Sequence, residues 1–479
     1  MKKIFLFSSL LLSFCLSSVP ASAQSFGYDV NGMVARSDRF YKRWEQSVQL
    51  RSQMDRLRQQ GEDNIKRMRM RSSYSAPDFK PNFSFRFQPN TSLNNFDPSR
   101  HLAQVQKAAE QGQAMAQYNL GLLYFHGKGV PQDDVKAVYW IQKAAEQGEA
   151  NAQLDLALMY ANGRGVPKDE SKTAFWLQKS AEQREVEAQL NLSAMYSEGR
   201  GVPKDYAKAA QWYEKAAEQS GAERQLLLGL LYSLGKGVPK DEAKSAYWMQ
   251  KAAEKGYLVA QYYLGEKLAH GQGVPKDYAK AAQWYEKAAD QGHSVAQLNL
   301  GIMYLQGQGI PKDEAKAAQL IQKAAELEHD EAQYLLAMMF TRGQGVPIDY
   351  AKAVYWLQKA ADHRYSEAQF FLGLMSIQGL GVPKDLVKAA YWFREAAEDD
   401  FAEAQFHLGL MFARGLGVPK NEAAAVQWYQ KAAGQGLAKA QFHLGVAFAQ
   451  GQGIPKNEAL AAQWFKKAAD QGFDFENFN

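Results

Sequence analysis

The segment GKGVPQD, residues 127–133, has the two glycines and the lysine of a loop built to cradle a phosphate. Such a loop works by aiming free backbone amides at the anion, with a strand before it and a helix N-terminus behind it. Here Pro131 removes one amide, and Asp133 stands where a helix cap is needed, so the helix entry is already occupied. The segment returns as GRGVPKD at 163 and 199, GKGVPKD at 235, GQGVPKD at 271, GQGIPKD at 307 and GQGVPID at 343. GLGVPKD at 379, GLGVPKN at 415 and GQGIPKN at 451 follow, always 36 residues apart. Ten equivalent phosphate sites have no rationale, whereas ten turns do. A second candidate is His407 with His443, which share a register one repeat apart. Neighbouring helices pack about 8–10 Å apart, near enough for two imidazoles to approach one ion. Zinc needs three or four protein ligands, and no third shares the register, so no metal is predicted. The sequence also lacks a Ser-Lys motif of β-lactam chemistry, a zincin motif and an unrepeated acid–base cluster. Nearly every polar residue recurs as repeat consensus. The chain therefore reads as non-enzymatic, with no catalytic residue and no cofactor.

The elements that carry these residues follow from the 36-residue period, which signals a solenoid. Gln117, Gln153, Gln189 and so on to Gln441 mark the same register. In residues 116–151, Ala116, Leu120, Leu123 and Tyr124 give a first helix an apolar stripe. Gly127 suits its left-handed end, and Pro131 fixes the chain beyond. Asp133 then caps a second helix with Ala137, Trp140, Ala144 and Ala145 inward, closed by Gly148. Every copy has Asp or Asn at the cap. Lysines before the cap, such as Lys168, Lys204 and Lys240, read as a solvated edge.

The unit A-Q-Y-N-L-G-L-L-Y…G-x-G-V-P-x-D…K-A-x-x-W-x-x-K-A-A-E-Q-G resembles the Sel-one-like repeat (SLR), a relative of the tetratricopeptide repeat. The resemblance spans residues 98–472, a half unit and ten full ones. It implies an all-α fold, an α/α solenoid in which 36-residue helix-turn-helix repeats form a right-handed superhelix. Family members generally act as adaptors, and many bacterial ones are exported and touch host cells, envelope machinery or signalling. By analogy with the tetratricopeptide pattern, the registers of residues 118, 119, 122, 125 and 126 face the concave groove, the usual binding surface. Register 118 becomes aromatic in the C-terminal half, as Tyr334, Phe370, Phe406 and Phe442, with Arg342 and Arg414 nearby and His407 and His443 adjacent. Aromatics with arginine are hot-spot chemistry for a protein or peptide partner. The same row also reads as packing between successive helices, since its equivalents elsewhere are mostly leucine. One exported, cysteine-rich branch of the family is associated with penicillin binding and β-lactam hydrolysis. This chain departs from it, for its single cysteine is Cys15.

Departures inside the array mark irregular places. Leu320 replaces the tryptophan of the other units, and Arg224 the opening alanine. The closing glycine is missing at Arg184, Ser220, Glu328, Arg364 and Asp400, so those junctions are expected to bend differently, with units from about 188 to 255 least regular.

Outside the array, Lys2 and Lys3, an apolar run from Ile4 to Val19 and Ala21-Ser22-Ala23 read as a signal peptide, residues 1–23, cleaved after Ala23. Phe14 before Cys15 is too bulky for a lipid-attachment site. The expected location is periplasmic or secreted, with no transmembrane segment. A net charge of +5 over 479 residues argues against nucleic acid as a partner. Residues 24–97 hold the positive excess, densest in KRMRMR at 66–71. The segment reads either as a weak contact for anionic envelope components or as a solvated linker. Its helical part carries Tyr41, Trp44, Val48, Met54 and Leu57, and Phe83, Phe85 and Phe87 alternate beyond it. Those phenylalanines suit either a cover for the first repeat or a strand added to a partner. In the tail, 473–479, Phe473, Phe475 and Phe478 are expected to cover the last hairpin.

Overall fold

The computed structural model describes residues 98–473. The expected signal peptide, the basic segment 24–97, and Phe475 and Phe478 lie outside the described residues. Those described form two compact units, 98–277 and 278–473. The first contains α1 (Pro98–Glu110), α2 (Ala114–His126), α3 (Asp134–Glu146), α4 (Ala150–Asn162) and α5 (Glu170–Glu182). It continues with α6 (Val186–Glu198), α7 (Tyr206–Glu218), α8 (Ala222–Leu234), α9 (Glu242–Glu254) and α10 (Leu258–His270). The second contains α11 (Tyr278–Asp290), α12 (Ser294–Gln306), α13 (Glu314–Glu326), α14 (Asp330–Arg342), α15 (Tyr350–Asp362) and α16 (Ser366–Gln378). α17 (Leu386–Glu398), α18 (Ala402–Arg414), α19 (Glu422–Gly434), α20 (Ala438–Gln450) and α21 (Glu458–Asp470) complete it. Within each unit every helix packs on the helices before and after it in the chain, as an α/α solenoid requires.

The glycine-proline segment is a turn. Gly127 takes φ 65°, and its amide and that of Lys128 both donate to the Leu123 carbonyl. The Asp133 amide donates to the Tyr124 carbonyl at 2.9 Å, and its carboxylate accepts from the Lys136 amide at 2.9 Å. Three of the loop's amides, those of Gly127, Lys128 and Asp133, are thus spent on the preceding helix. The second glycine serves packing: a Cβ on Gly165 would overlap the Asp134 carbonyl at the start of α3.

A hydrogen bond beside each turn explains the glutamine register. Gln153 Nε2 donates to the Ala145 carbonyl at 3.0 Å, and Gln405 to Ala397 at 3.1 Å. All ten glutamines bond the carbonyl eight residues back in this way, adding a second donor to a group at the end of the preceding second helix that already accepts a backbone amide, as Ala145 does from Gly148 at 3.0 Å.

Second-helix alanines fill the core as expected: Ala137, Ala144 and Ala145 are at most 1% exposed. In α3 the large core residue is not the tryptophan but its successor, Ile141, fully buried, with Leu177, Leu357 and Phe393 in the same register; in α9 the tryptophan, Trp248, is itself 3% exposed. Opposite it stands a small residue. A Cβ on Gly121 would lie 2.5 Å from Ile141, and one on Gly373 2.5 Å from Phe393. Where the large residue is leucine, alanine fits: Ala157 shares a core cluster with Leu177, and Ala337 with Leu357.

Four of the five glycine-less junctions do not depart from the pattern. Arg184, Glu328, Arg364 and Asp400 adopt φ of 72°, 60°, 62° and 60°, the left-handed conformation glycine takes elsewhere. Packing of the flanking helices overrides the local preference. Ser220 alone departs: its hydroxyl donates to the Ala216 carbonyl at 2.6 Å, and Arg224 donates to that hydroxyl at 3.3 Å. Here α7 and α8 pack less extensively than the other neighbouring pairs of their unit.

Candidate functional site

In the second unit, register 118 places Tyr334 on α14, Phe370 on α16, Phe406 on α18 and Phe442 on α20. Phe406 is 2% exposed and belongs to the core, which excludes it from contact with a ligand in this conformation. The other three are half-buried, with ring faces shared among neighbours. Tyr334 lies 5.6 Å from Tyr365 and 5.7 Å from Phe371, between ring centroids. Phe370 lies 5.5 Å from Phe393 and 5.4 Å from Phe401. Phe442 is 5.7 Å from Phe465 and 5.2 Å from Phe473, the tail residue expected to cover the last hairpin.

The two histidines enter the same ladder. His407 sits 5.3 Å from both Phe370 and Phe393. His443 lies 5.1 Å from Phe406 and 5.5 Å from Tyr429, and its Nδ1–H donates to the Lys439 carbonyl at 3.1 Å. Burial, with the charge of Lys439, pushes His407 down to about 3. Burial, reinforced by Arg414 and Lys439 and opposed by the backbone hydrogen bond, lowers His443 to about 4. Both rings are neutral packing elements at physiological pH. Among the described residues, no three of His, Cys, Asp and Glu gather as metal ligands. Arg342 and Arg414 end α14 and α18; the first is half-buried and the second exposed.

The first unit carries a polar strip that the sequence reading missed. Tyr118 on α2 donates its hydroxyl to Asp155 Oδ2 on α4 at 2.9 Å. Asp155 is only 7% exposed. Burial raises its carboxyl to about 7, the Tyr118 hydrogen bond opposing and Glu187 adding to the rise. In the same register of α6, Asn191 is 6% exposed, and its Nδ2 has no hydrogen-bond partner among the described residues. An acid within the apolar run AQLDLALMYA was the available signal. The strip offers hydrogen-bonding groups. Among the described residues no helix is long and apolar enough to cross a membrane.

The Sel1 repeat family model matches ten consecutive segments, the first at 114–149 and the last at 438–473. A protective antigen of uropathogenic Escherichia coli, whose crystal structure displays an SLR fold, is 37% identical, with a TM-score of 0.57 over 80% of this chain and 83% of that one. A Sel1 repeat protein from Oxalobacter formigenes is 35% identical, with a TM-score of 0.55 over 67% of this chain and 91% of that one. Comparison with curated proteins gives no match.

Proposed function

The chain belongs to the Sel1 repeat family, whose members typically serve as protein-interaction scaffolds, and on that premise we propose that it is an exported, non-enzymatic scaffold holding a protein or peptide partner along its first-helix face. The setting proposed is envelope assembly or host interaction. Export rests on the leader at residues 1–23.

One observation carries the choice of face. The capping residues, turn glycines, register glutamines and core alanines repeat with little change, while register 119 changes nearly every time. It reads Asn119, Asp155, Asn191, Leu227 and Tyr263 in the first unit, then Asn299, Leu335, Phe371, His407 and His443 in the second. A position free of the structural consensus is where an array can encode specificity for one ligand. The half-buried rings beside it in the second unit supply apolar area.

The test is capture of partners by the mature chain, wild type beside Asn119→Arg with Leu335→Arg, two half-buried positions of that register. Loss of the partner from a variant with unchanged helicity is expected. Retention of the full partner set would turn the search to residues 24–97. N-terminal sequencing of the exported form should begin at Gln24, and a chain retaining its leader in the cytoplasm would remove export from the account.

A further inference from the structure

Tyr139, Phe175 and Tyr247 occupy one register of α3, α5 and α9 and leave 52%, 52% and 51% of their surfaces exposed. The second helices of this unit lie side by side, for Lys244 of α9 reaches Glu214 of α7 at 3.0 Å. One register therefore makes a row, with Gln211 of α7 inside it. Each exposed ring meets the following tryptophan edge-on, with centroids 5.1, 5.0 and 5.3 Å apart.

One helical turn further stand Lys143, Lys179, Lys215 and Lys251. Their ammonium groups lie over aromatic rings: Tyr139 at 4.6 Å, Phe175 at 5.9 Å, Trp212 at 4.0 Å and Tyr247 at 5.5 Å. Among the described residues none of the four makes an ion pair. The nearby acids are held elsewhere, since Gln142, Gln178 and Gln250 donate to Glu146, Glu182 and Glu254 at 2.8, 3.0 and 2.8 Å. A second lysine register behaves differently. Lys136, Lys172 and Lys208 pair with their own caps, Asp133, Asp169 and Asp205, at 3.4, 3.9 and 4.0 Å. The chain thus neutralises one lysine row internally and leaves the other on an exposed aromatic edge.

We propose that this second-helix row, Tyr139 with Lys143, Phe175 with Lys179 and Tyr247 with Lys251, docks an acidic amphipathic segment of a protein partner. Apolar side chains of the segment cover the rings, and its carboxylates pair with the ammonium groups. The pattern of charge selects this occupant over a nucleic acid. A polyphosphate bears a charge on every residue and would run along the flanking Glu146, Glu182 and Glu254. Carboxylates spaced among apolar residues match one unpaired cation per repeat. The surface is separate from the first-helix face and does not depend on its assignment.

The test uses the full chain and a fluorescein-labelled copolymer of glutamate and tyrosine, beside polyglutamate and polyuridylate. One variant carries Tyr139→Gln, Phe175→Gln and Tyr247→Gln, the residue that α7 already has at this register. A second carries Lys143→Gln, Lys179→Gln and Lys251→Gln. Lys136→Gln with Lys172→Gln is the control. The wild type should bind the copolymer more tightly than polyglutamate, each triple variant about tenfold more weakly, and the control within about twofold of wild type. Added salt should weaken the wild-type complex. No binding of the copolymer, or unchanged binding by folded triple variants, would overturn the proposal. Tighter binding of polyuridylate that is lost in the same variants would overturn it in favour of a nucleic-acid surface.

Discussion

Leu327 stands where a recurring hydrogen bond is missing. Gln147 donates to the Oε1 of the register glutamine Gln117 at 2.6 Å, and Gln435 does the same for Gln405 at 2.9 Å. At the equivalent position after α13 stands Leu327, 54% exposed, and the Oε1 of Gln297 is buried without a hydrogen-bond partner among the described residues. The backbone at Leu327 matches that at Gln147, with φ of −86° against −81°. Leu327→Gln should therefore complete the bond without losing core contacts. A net hydrogen bond contributes about 0.5–1.5 kcal/mol, and the orphaned acceptor had been costing about 1–3 kcal/mol. Ordering the new side chain costs up to about 2 kcal/mol. The expected gain is about 1 kcal/mol, read as a rise of about 2–4 °C in Tm for a cooperative unit of this size. The reverse change, Gln435→Leu, should destabilise by about 1–2 kcal/mol, because it leaves Gln405 Oε1 buried and unpaired. Circular-dichroism melts of both variants check the pair of values. A Leu327→Gln protein no more stable than wild type, together with a neutral Gln435→Leu, would refute the reasoning that these bonds stabilise the repeat.

Gly373→Ala should destabilise despite the gain of about 1 kcal/mol in helix propensity, because overpacking against Phe393 costs about 1–3 kcal/mol. Adding Phe393→Leu, which copies the Ala337–Leu357 pairing, should relieve that clash, and a double-mutant cycle in urea measures the coupling. Glu328→Gly should stabilise by about 1 kcal/mol, since φ is 60° there, and thermal melts check it. His407 and His443 take up protons more readily when unfolded than when folded, so stability is complete above pH 6.5 and falls as pH drops toward 4. The expected loss at pH 5 is about 1–2 kcal/mol each, removed at one site by His407→Phe, which places there the residue that Phe371 already provides one repeat earlier. Asp155 works in the opposite sense: its raised carboxyl favours folding at low pH, and that stability is lost as pH rises through about 7. Asp155→Asn should accordingly be more stable than wild type at pH 8, as urea titration would show.

Repeat length, turns, caps and helix order were legible because each depends on local chemistry repeated ten times. Gly127 and Asp133 show their roles in type and spacing alone. The aromatic row was only half legible. Register analysis places Phe406 and Phe442 alike, and only the packed neighbours reveal that Phe406 is sealed while Phe442 stays half-buried. Junction geometry was misleading in the sequence, for glycine is the cheap residue at positive φ and not the only one that packing can force there. Arg364 takes that conformation and also pairs with Asp399, one repeat on. Ser220 shows that the same absence can change a junction: its hydroxyl donates to the Ala216 carbonyl and Gly221 follows it, whereas Arg184 has no hydroxyl and is followed by Glu185. The polar strip at Asp155 was visible as an acid in an apolar run, yet its partner Tyr118 lies 37 residues away. Tyr139 and Phe175 lie off the inward stripe of Ala137, Trp140 and Ala144, so their exposure follows from helical periodicity.

The central claim is that a partner lies along the first-helix face. Photocrosslinking tests it most directly, with a benzophenone amino acid placed at Asn119, Leu227 or Leu335 and, for comparison, at the edge lysines Lys168, Lys204 or Lys384. The account predicts one recurring partner, joined from the first set and absent from the second. Adducts from the edge positions alone, with folded first-helix variants giving none, would contradict it.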